Sequence, residues 1–281
     1  MNKETIQSWA TDPNGPVALH LKQTLTSVEC IDPEKDNCVI YPPTYADIGY
    51  NIDEMGNGRK VALVDSVGSQ ANRMEPFFIS EETEQEKWLV PQISVKINDD
   101  TTLSLLELAH RGADAVVQSS GELATKIQSA FSELKKTGNA ADLGAIAPTS
   151  LLFGVWDSRG GSGEKRPRLV RSVIRAWDVE ALHSAAQFNS VWKALNDEHK
   201  DDLAKEAKKQ KVKLSEKGFA DAPGVFRDTK VSQIKDGAFN PEARVLGGVV
   251  VNGKIEREIT INLVALARLA RQVRKREEPT G

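Results

Sequence analysis

The chain has 281 residues, of which 40% are hydrophobic and 27% charged, a composition typical of a globular protein rather than a disordered or fibrous one. Apolar runs such as Val245–Val251 are too short to span a bilayer, and the N-terminus shows no secretory signal pattern. We therefore expect a cytoplasmic protein with no membrane partner. The net charge of −3 argues mildly against nucleic-acid binding, although phosphate affinity depends on local charge.

Hydrophobic periodicity and turn residues divide the first half of the chain into elements. In order, they are a strand over Val17–Glu29, a long loop or hairpin excursion over Ile31–Lys60, a short buried strand over Lys60–Val64, a helix capped by Ser66 or Ser69 that ends before Pro76, a strand over Val90–Ile97, and helices over Leu103–Gln118 and Glu122–Lys136.

The second half is divided in the same way, and its Asn252-Gly253 pair between β-rich runs is a strong hairpin signal. The predicted elements are a strand over Thr149–Trp156, a strand over Leu169–Val179, a charged helical stretch over Phe188–Phe219, a hairpin formed by Val245–Val251 and Lys254–Ile261, and a final helix capped by Asn262. Strands and helices do not alternate regularly, so the sequence predicts an α+β fold.

Motifs for metal or nucleophilic catalysis are absent from the sequence. The histidines form no His-Glu-x-x-His pattern, and the spacing of Cys30 and Cys38 excludes a Cys-x-x-Cys pair. Reduced thiols are the simplest expectation for these cysteines, with a disulfide left open. The stretch from Ser158 to Lys165 fails the phosphate-loop pattern because Glu164 separates the last glycine from the lysine. We expect no cofactor, no metal and no enzymatic activity.

The strongest positive feature is a basic segment that begins in a Gly/Ser loop and continues into the strand predicted over Leu169–Val179. On that strand two of its arginines share a face with Trp177, an arrangement suited to RNA phosphates and bases. The alternative is an exposed loop charged for solubility, with the tryptophan in the core. The candidate RNA-binding residues of this segment are Arg159, Lys165, Arg166, Arg168, Arg171 and Arg175.

Three further features carry donors for an anion. A Gly/Ser turn opening a helix presents free N–H groups to phosphate, although a well-capped helix with a polar surface fits equally. A His-Arg pair interrupts the helix predicted over Leu103–Gln118, either beside a polar groove or with a surface arginine. A basic C-terminal run either touches RNA or a neighbouring subunit, or complements the helix dipole. The candidates that these features add are Ser69, Gln70, Asn72, Arg73, His110 and Arg111, with Arg268, Arg271 and Lys275 on one face of the C-terminal helix.

Several strings in the sequence together resemble a known family. They are Tyr41-Pro-Pro-Thr44, Leu63-Val-Asp-Ser-Val-Gly-Ser-Gln-Ala-Asn-Arg-Met-Glu75, Ala109-His-Arg-Gly-Ala-Asp-Ala115, Pro148-Thr-Ser-Leu-Leu-Phe-Gly-Val-Trp-Asp-Ser158, and the segment from Gly247 to Leu266. They resemble the backbone subunit of type I-G (formerly I-U) CRISPR Cascade complexes, a member of the RAMP superfamily. The resemblance covers the chain from about Val17 to Leu266.

The resemblance implies a single RAMP domain over residues 1–281 with an RRM-like (ferredoxin-like) antiparallel sheet as its core. The segments 31–60 and 188–244 are the candidate thumb and finger insertions, in either assignment. The implied partners are CRISPR RNA (crRNA), the target DNA strand through the guide, other copies of the chain and other Cascade subunits, in antiviral defence. Such a subunit grips backbone and shape, and leaves sequence to base pairing.

Two other functions remain open from the sequence. A metal-dependent RNA endonuclease on the same fold would use a loop aspartate, with Asp47, Asp65 or Asp157 as candidates. Asp178 also lies near a strand end, where aspartates more often cap turns. A small-molecule enzyme of unfamiliar α+β type predicts a discrete monomer that does not bind RNA.

Overall fold

The computed structural model describes residues 2–30, 38–45, 48–156, 165–184, 195–211, 234–235, 238–239 and 245–269. These form two compact units. Unit 1 comprises residues 1–23, 66–173 and 257–281, and unit 2 comprises residues 24–65 and 174–256. Because segments of both units alternate along the chain, one domain over 1–281 stays a prediction.

The strands are β1 (Ala18–Leu25), β2 (Cys38–Ile40), β3 (Thr44–Tyr45), β4 (Gly49–Tyr50), β5 (Ile52–Glu54), β6 (Lys60–Asp65), β7 (Ser94–Lys96), β8 (Thr102–Ser104), β9 (Val155–Trp156), β10 (Lys165–Arg166), β11 (Val170–Trp177), β12 (Val179–Ser184), β13 (Ile234–Lys235), β14 (Ala238–Phe239), β15 (Val245–Val251) and β16 (Ile255–Asn262). The α-helices are α1 (Lys3–Thr11), α2 (Val67–Met74), α3 (Ala115–Gln118), α4 (Gly121–Thr137), α5 (Ala141–Ile146), α6 (Pro148–Leu152) and α7 (Asp197–Gln210), and residues 263–269 are also helical.

Short 3₁₀ turns cover Gly56–Gly58, Glu75–Phe78, Gln85–Lys87, Leu105–Glu107 and Arg111–Ala113. The larger sheet has the strand order β1-β16-β11-β6-β5, and a three-stranded sheet has the order β12-β15-β2. The mixture of helices with antiparallel strand pairs confirms the α+β class. An RRM-like core is not confirmed. Among the described residues, no helix is both long and apolar enough to cross a membrane.

Unit 1 is built around helix α4, whose apolar stripe at helical spacing is buried. Gly138 ends this helix in the left-handed conformation at φ 78°, as a C-terminal glycine commonly does. The helix predicted over Glu122–Lys136 is thus confirmed. The largest fully buried side chains of this core are Leu105, Val117, Ile127, Phe131 and Leu143.

Unit 2 has its own core between strands, formed by Ile40, Tyr50, Ala62, Ala176, Val179, Val249, Val251 and Ile255. Cys30 and Cys38 are joined by a disulfide, with their Cα atoms 5.5 Å apart. The structure therefore differs from the expected reduced thiols. Segment 38–54, predicted as a loop or hairpin excursion, forms the short strands β2 to β5, two of which pair with β15 and β6.

The predicted Asn-Gly hairpin is wrong, because β15 and β16 belong to different sheets. Asn252 and Gly253 lie opposite the junction of β11 and β12, where their N–H groups donate to the carbonyls of Asp178 and Trp177, each at 3.0 Å. A Cβ on Gly253 would lie 2.5 Å from the Trp177 carbonyl oxygen, so only glycine fits. The pair is a bend in a long paired strand rather than its reversing turn.

Two other predicted elements are also wrong. Leu103–Gln118 is not one helix, because Leu103 and Ser104 belong to β8, two 3₁₀ turns follow, and Asp114 caps the separate short helix α3. The first half of the strand predicted over Thr149–Trp156 is helix α6, which Pro148 opens at its first turn, and only Val155–Trp156 form a strand, β9. Of the strand predicted over Val90–Ile97, only β7 forms.

The strand predictions for β1, β6 and β11 are confirmed, as is the cap of the final helix, where Asn262 Oδ1 accepts from the Ala265 N–H at 2.9 Å. In the charged stretch 188–219, α7 confirms a helix, and the rest of that stretch lies outside the described residues apart from short flanks of α7.

Candidate nucleic-acid interface

Helix α2 carries four of the residues that the sequence marked for anion binding, Ser69, Gln70, Asn72 and Arg73. Ser66 is its N-cap, and its Oγ accepts from the Ser69 N–H at 3.2 Å. Ser66, not Ser69, therefore opens the helix. The helix ends at Met74, two residues before Pro76. Proline lacks the backbone N–H that a longer helix would need at that position. The predicted helix is confirmed at both ends.

One face of α2 is anchored in unit 1. The Ser172 hydroxyl donates to Gln70 Oε1 at 2.8 Å, and both side chains are buried. Ala71 packs inward on the same helix. Gln70 is thus buried and anchors the helix through this bond, and its predicted contact with RNA stays a prediction.

The other face of α2 is open to solvent. Asn72 and Arg73 are exposed, and Ser69 is half-buried. These side chains offer an amide, a guanidinium and a hydroxyl, the donors that a sequence-independent phosphate contact uses. The predicted role of these three residues in RNA binding stays a prediction.

Arg111 lies beneath this helix, with 5% of its surface exposed. Its Nε is 2.8 Å from Oε2 of Glu75, a side chain only 1% exposed. The N–H direction does not align with either carboxylate oxygen, so charge rather than a well-formed hydrogen bond holds the pair. Nη2 donates to Asn72 Oδ1 at 3.0 Å, and Nη1 donates to the Gly154 carbonyl at 3.3 Å.

Further contacts fix the arginine in place. Its guanidinium carbon lies 5.5 Å from the centre of the Phe153 ring, within cation–π range. The Gly112 N–H donates to Ser150 Oγ at 3.2 Å, which holds the chain directly after the arginine. Arg111 itself has φ 54°, a left-handed conformation that is costly for a residue with a Cβ. Arg111 is therefore buried and bonded inside unit 1, and the predicted contact with RNA stays a prediction.

Burial dominates the electrostatics of this pair. It raises the pKa of Glu75, while the Thr149 hydroxyl and the Arg111 guanidinium oppose the shift. It lowers the pKa of Arg111, which the Glu75 carboxylate opposes and the positive charge of Arg168 reinforces. Arg168 is therefore close enough to Arg111 for its positive charge to lower the pKa of Arg111.

Arg168 is exposed, and its position can be read from Gly68 in the first turn of α2. A Cβ built on Gly68 would lie 3.9 Å from Arg168 Nη2. The first turn of a helix has backbone N–H groups without intrahelical partners and carries partial positive charge. A guanidinium beside this turn adds a full charge, and the two together favour an anion.

The remaining predicted residues are placed as follows. His110 is exposed, and its backbone N–H donates to Asp114 Oδ2 at 3.2 Å. Arg171 is exposed on β11 in unit 1, whereas Arg175 is half-buried on the same strand in unit 2. Lys165 and Arg166 form β10, which pairs with β9, and their side chains lie outside the described residues. Arg159, Arg271 and Lys275 lie outside the described residues altogether, while Arg268 is exposed.

Catalytic candidates gain nothing from the geometry. Asp65 ends β6 and is buried at 9% exposure, while Asp47 and Asp157 lie outside the described residues. Asp178 forms an exposed ion pair with Arg59 at 2.8 Å, and the hydrogen bond from that guanidinium lowers the pKa of Asp178. Within the part of the chain that the structure describes, no group of three or more His, Cys, Asp or Glu could hold a metal.

Sequence reasoning missed two kinds of residue. Glu75, Thr149, Ser150 and Phe153 form the buried surroundings of Arg111, and no local pattern marks residues that meet only in three dimensions. It also missed that the aromatic rings of Phe77 and Trp156 are exposed, at 88% and 61%. Periodicity placed Trp156 in an apolar strand, and one sequence gives no signal that separates an exposed aromatic from a core one.

Three separate strings of the sequence thus meet at one guanidinium. Asn72 and Glu75 come from the string around α2, Arg111 and Gly112 from the second, and Phe153 and Gly154 from the third. A model of the family described as CRISPR-associated protein GSU0053 matches residues 29–181 of the chain. That is more than half of its 281 residues.

The chain belongs to this CRISPR-associated family. The matched range contains α2, Arg111 and Arg168. A comparison with curated proteins found no match.

Proposed function

We propose that the protein is a non-catalytic, crRNA-binding backbone subunit of a CRISPR Cascade complex, of type I-G, that polymerises along the guide RNA and presents it to invader DNA. Membership of the CRISPR-associated family is the observation that carries this proposal. The expected partners are the crRNA, the target strand through the guide, other copies of the chain and other Cascade subunits. Cytoplasmic location and an RRM-like core belong to the same proposal.

The exposed face of α2 supports RNA as the ligand. Arg168 lies beside the first turn of the helix, and Arg73 is exposed in its last turn. Serine and asparagine side chains lie between them along the helix. Every member of this set can donate a hydrogen bond to a phosphate oxygen, a contact that does not depend on the base. That chemistry fits a guide whose sequence changes with each spacer, since base pairing does the reading.

The negative net charge of −3 is compatible with this proposal. Affinity for a polynucleotide depends on the phosphates that are neutralised at the interface, not on the total charge of the protein. Exposed carboxylates on α4 and α7, such as Glu122, Asp197 and Asp202, contribute to the acidic balance. Arg73 and Arg168 are exposed at α2, where their charges can act on a phosphate whatever the total charge of the chain.

The test is co-expression of the tagged protein with a CRISPR array and the other subunits, followed by size-exclusion chromatography. We expect RNA of defined length to co-purify in a large particle. A monomer free of RNA under these conditions contradicts the proposal. Incubation of the particle with RNA and Mg²⁺ tests the non-catalytic part, and cleavage that disappears on substituting Asp47, Asp65 or Asp157 would establish a nuclease instead.

A further inference from the structure

Asn72 joins an exposed surface to a buried support. Its side chain lies on the open face of α2, yet its Oδ1 accepts a hydrogen bond from Arg111 Nη2 at 3.0 Å. A guanidinium has only donors, so the atom that faces it must be the carboxamide oxygen and not the nitrogen. The donor on Arg111 therefore determines which branch of the Asn72 amide is the oxygen and which is the nitrogen.

Arg111 is a rigid support for this orientation. Its guanidinium is engaged at the same time by Glu75 Oε2 at 2.8 Å, by the Gly154 carbonyl at 3.3 Å and by the Phe153 ring. A residue 5% exposed and held in a left-handed backbone conformation has little freedom to move aside. The Asn72 oxygen is consequently held against Arg111, which leaves the N–H₂ group on the other branch of the carboxamide.

We propose that Arg111 is a positioning residue, which holds the Asn72 carboxamide so that its two N–H donors face a phosphodiester oxygen of the bound RNA. This inference rests on the proposed function and adds the atom that makes the contact. Arg111 itself touches no RNA. It replaces the freely rotating amide of an ordinary surface asparagine by one whose donor end is already directed outward, which lowers the entropic cost of binding.

The ligand follows from the same atoms. An amide N–H₂ group offers two donors and no charge, and phosphate oxygens accept such bonds without reference to the base. Arg73 is the next residue on the exposed helix, and Arg168 lies at the first turn, so the amide lies on a helix that has cationic side chains at both ends. A neutral donor between cations adds hydrogen bonding without adding mutual repulsion among positive groups.

Asn72→Asp separates the inner contact from the outer one. Aspartate keeps an oxygen for Arg111 to bind, so the support survives, while the outward N–H₂ becomes a second oxygen. We expect a melting temperature no lower than wild type and an RNA dissociation constant about tenfold higher or more, since a hydrogen bond to a charged oxygen is lost and repulsion is added. The measurement is fluorescence anisotropy with a labelled single-stranded RNA and the purified full-length chain.

Asn98→Asp is the matched control. Asn98 is also exposed in unit 1, and its Oδ1 accepts from the Asp100 N–H at 3.0 Å, a bond that aspartate retains. The substitution makes the same change of charge at a place outside α2. We expect RNA affinity within about twofold of wild type, the ordinary effect of a single distant surface charge. An equal loss in both variants would show a general charge effect and overturn the inference.

The double variant Glu75→Gln with Arg111→Met tests the support itself. Removing both buried charges together avoids leaving one of them unpaired. Asn72 then loses the donor that orients it, and we expect weaker RNA binding with an unchanged dependence on salt, because no cation at the interface is removed. A salt dependence shallower by about one unit would instead mean that Arg111 contacts phosphate, and would overturn its positioning role.

The outcomes distinguish this inference from the proposed function. A wild-type protein that does not bind RNA overturns the proposed function and the inference with it. Wild-type binding that survives Asn72→Asp unchanged overturns only the inference. If the double variant does not fold, Asn72→Asp and Asn98→Asp still decide the result, because both keep the buried pair intact.

Discussion

Arg111 and Glu75 form a buried ion pair, with the arginine Nε 2.8 Å from the glutamate Oε2. The arginine comes from a 3₁₀ turn and the glutamate from the residue directly after α2. This contact ties the C-terminal end of the helix to the interior of unit 1, while Ser172 ties its centre through Gln70. Two internal connections therefore hold the helix whose outer face we propose to bind RNA.

Removing one partner of this ion pair is expected to destabilise the protein strongly. Arg111→Met leaves the Glu75 carboxylate buried without its partner, which costs about 3–5 kcal/mol in comparable buried pairs. The free energy of unfolding from urea denaturation measures the effect. Glu122→Gln is the control, since it breaks the exposed pair of Glu122 with Lys126 on α4, where we expect no measurable change. Equal effects of the two substitutions would contradict a buried pair.

Burial of Glu75 predicts a dependence of stability on pH. The pKa of this carboxyl is raised above its ordinary value of 4.5, so the folded state binds the proton more tightly than the unfolded state does. The contribution of Glu75 to stability is therefore full below pH 4.5 and declines as the pH rises through the folded-state pKa. We expect the unfolding free energy of wild type minus that of Glu75→Gln to decrease as the pH rises above 4.5. A difference independent of pH, or one that grows with pH, would contradict the raised pKa.

Gly112 lies where a side chain would be tightly packed. A Cβ at this position would lie 3.1 Å from Ser150 Oγ and 3.5 Å from the Ala147 Cβ, next to the left-handed Arg111. We expect Gly112→Ala to cost about 1–3 kcal/mol of stability, as overpacked core positions do. Gly144→Ala in α5 is the matched control, because its Cβ would meet only Leu151 Cδ1 at 3.8 Å. That variant should be unchanged or more stable by up to about 1 kcal/mol. The reverse ranking in thermal denaturation would contradict this packing.

Ser66 offers a way to change the charge of the first turn while keeping the helix. Aspartate is as good an N-cap as serine, so Ser66→Asp should retain stability to within about 0.5 kcal/mol, whereas Ser66→Ala should lose about 1 kcal/mol. The two variants should rank in the opposite order for RNA affinity. The added carboxylate occupies the place that we assign to phosphate, so Ser66→Asp should bind more weakly than Ser66→Ala. Equal RNA affinity of the two variants would argue against an anion at this helix end.

The local parts of the fold were predictable because their signals are local. A serine before the helix, Pro76 after it and the apolar stripe of α4 each act within a few residues. The Asn252-Gly253 pair also carries a strong local signal, but the long-range pairing of β15 with β12 and β2 overrides it. In the helix predicted over Leu103–Gln118, the pairing of β8 with β7 places Leu103 and Ser104 in a strand instead.

The candidate site was predictable only as a collection of donors. The sequence identified Asn72, Arg73 and Arg168 but gave no means of telling which would be exposed. Gln70 and Arg111 are of the same polar types, yet both are buried and bonded internally. Burial of a polar residue depends on partners distant in the chain, such as Ser172 and Glu75, and a single sequence does not show these pairings.

The most direct test of the account is the salt dependence of RNA binding by Arg73→Ala, Arg168→Ala and Arg171→Ala, compared with wild type. Lys126→Ala on α4 is the control, since this lysine is exposed and paired with Glu122. We predict weaker binding for RNAs of every sequence in the arginine variants, each with a salt dependence shallower by about one unit. The control should match wild type. Affinities and salt dependences that are the same in all five proteins would contradict the claim that these arginines contact RNA phosphates.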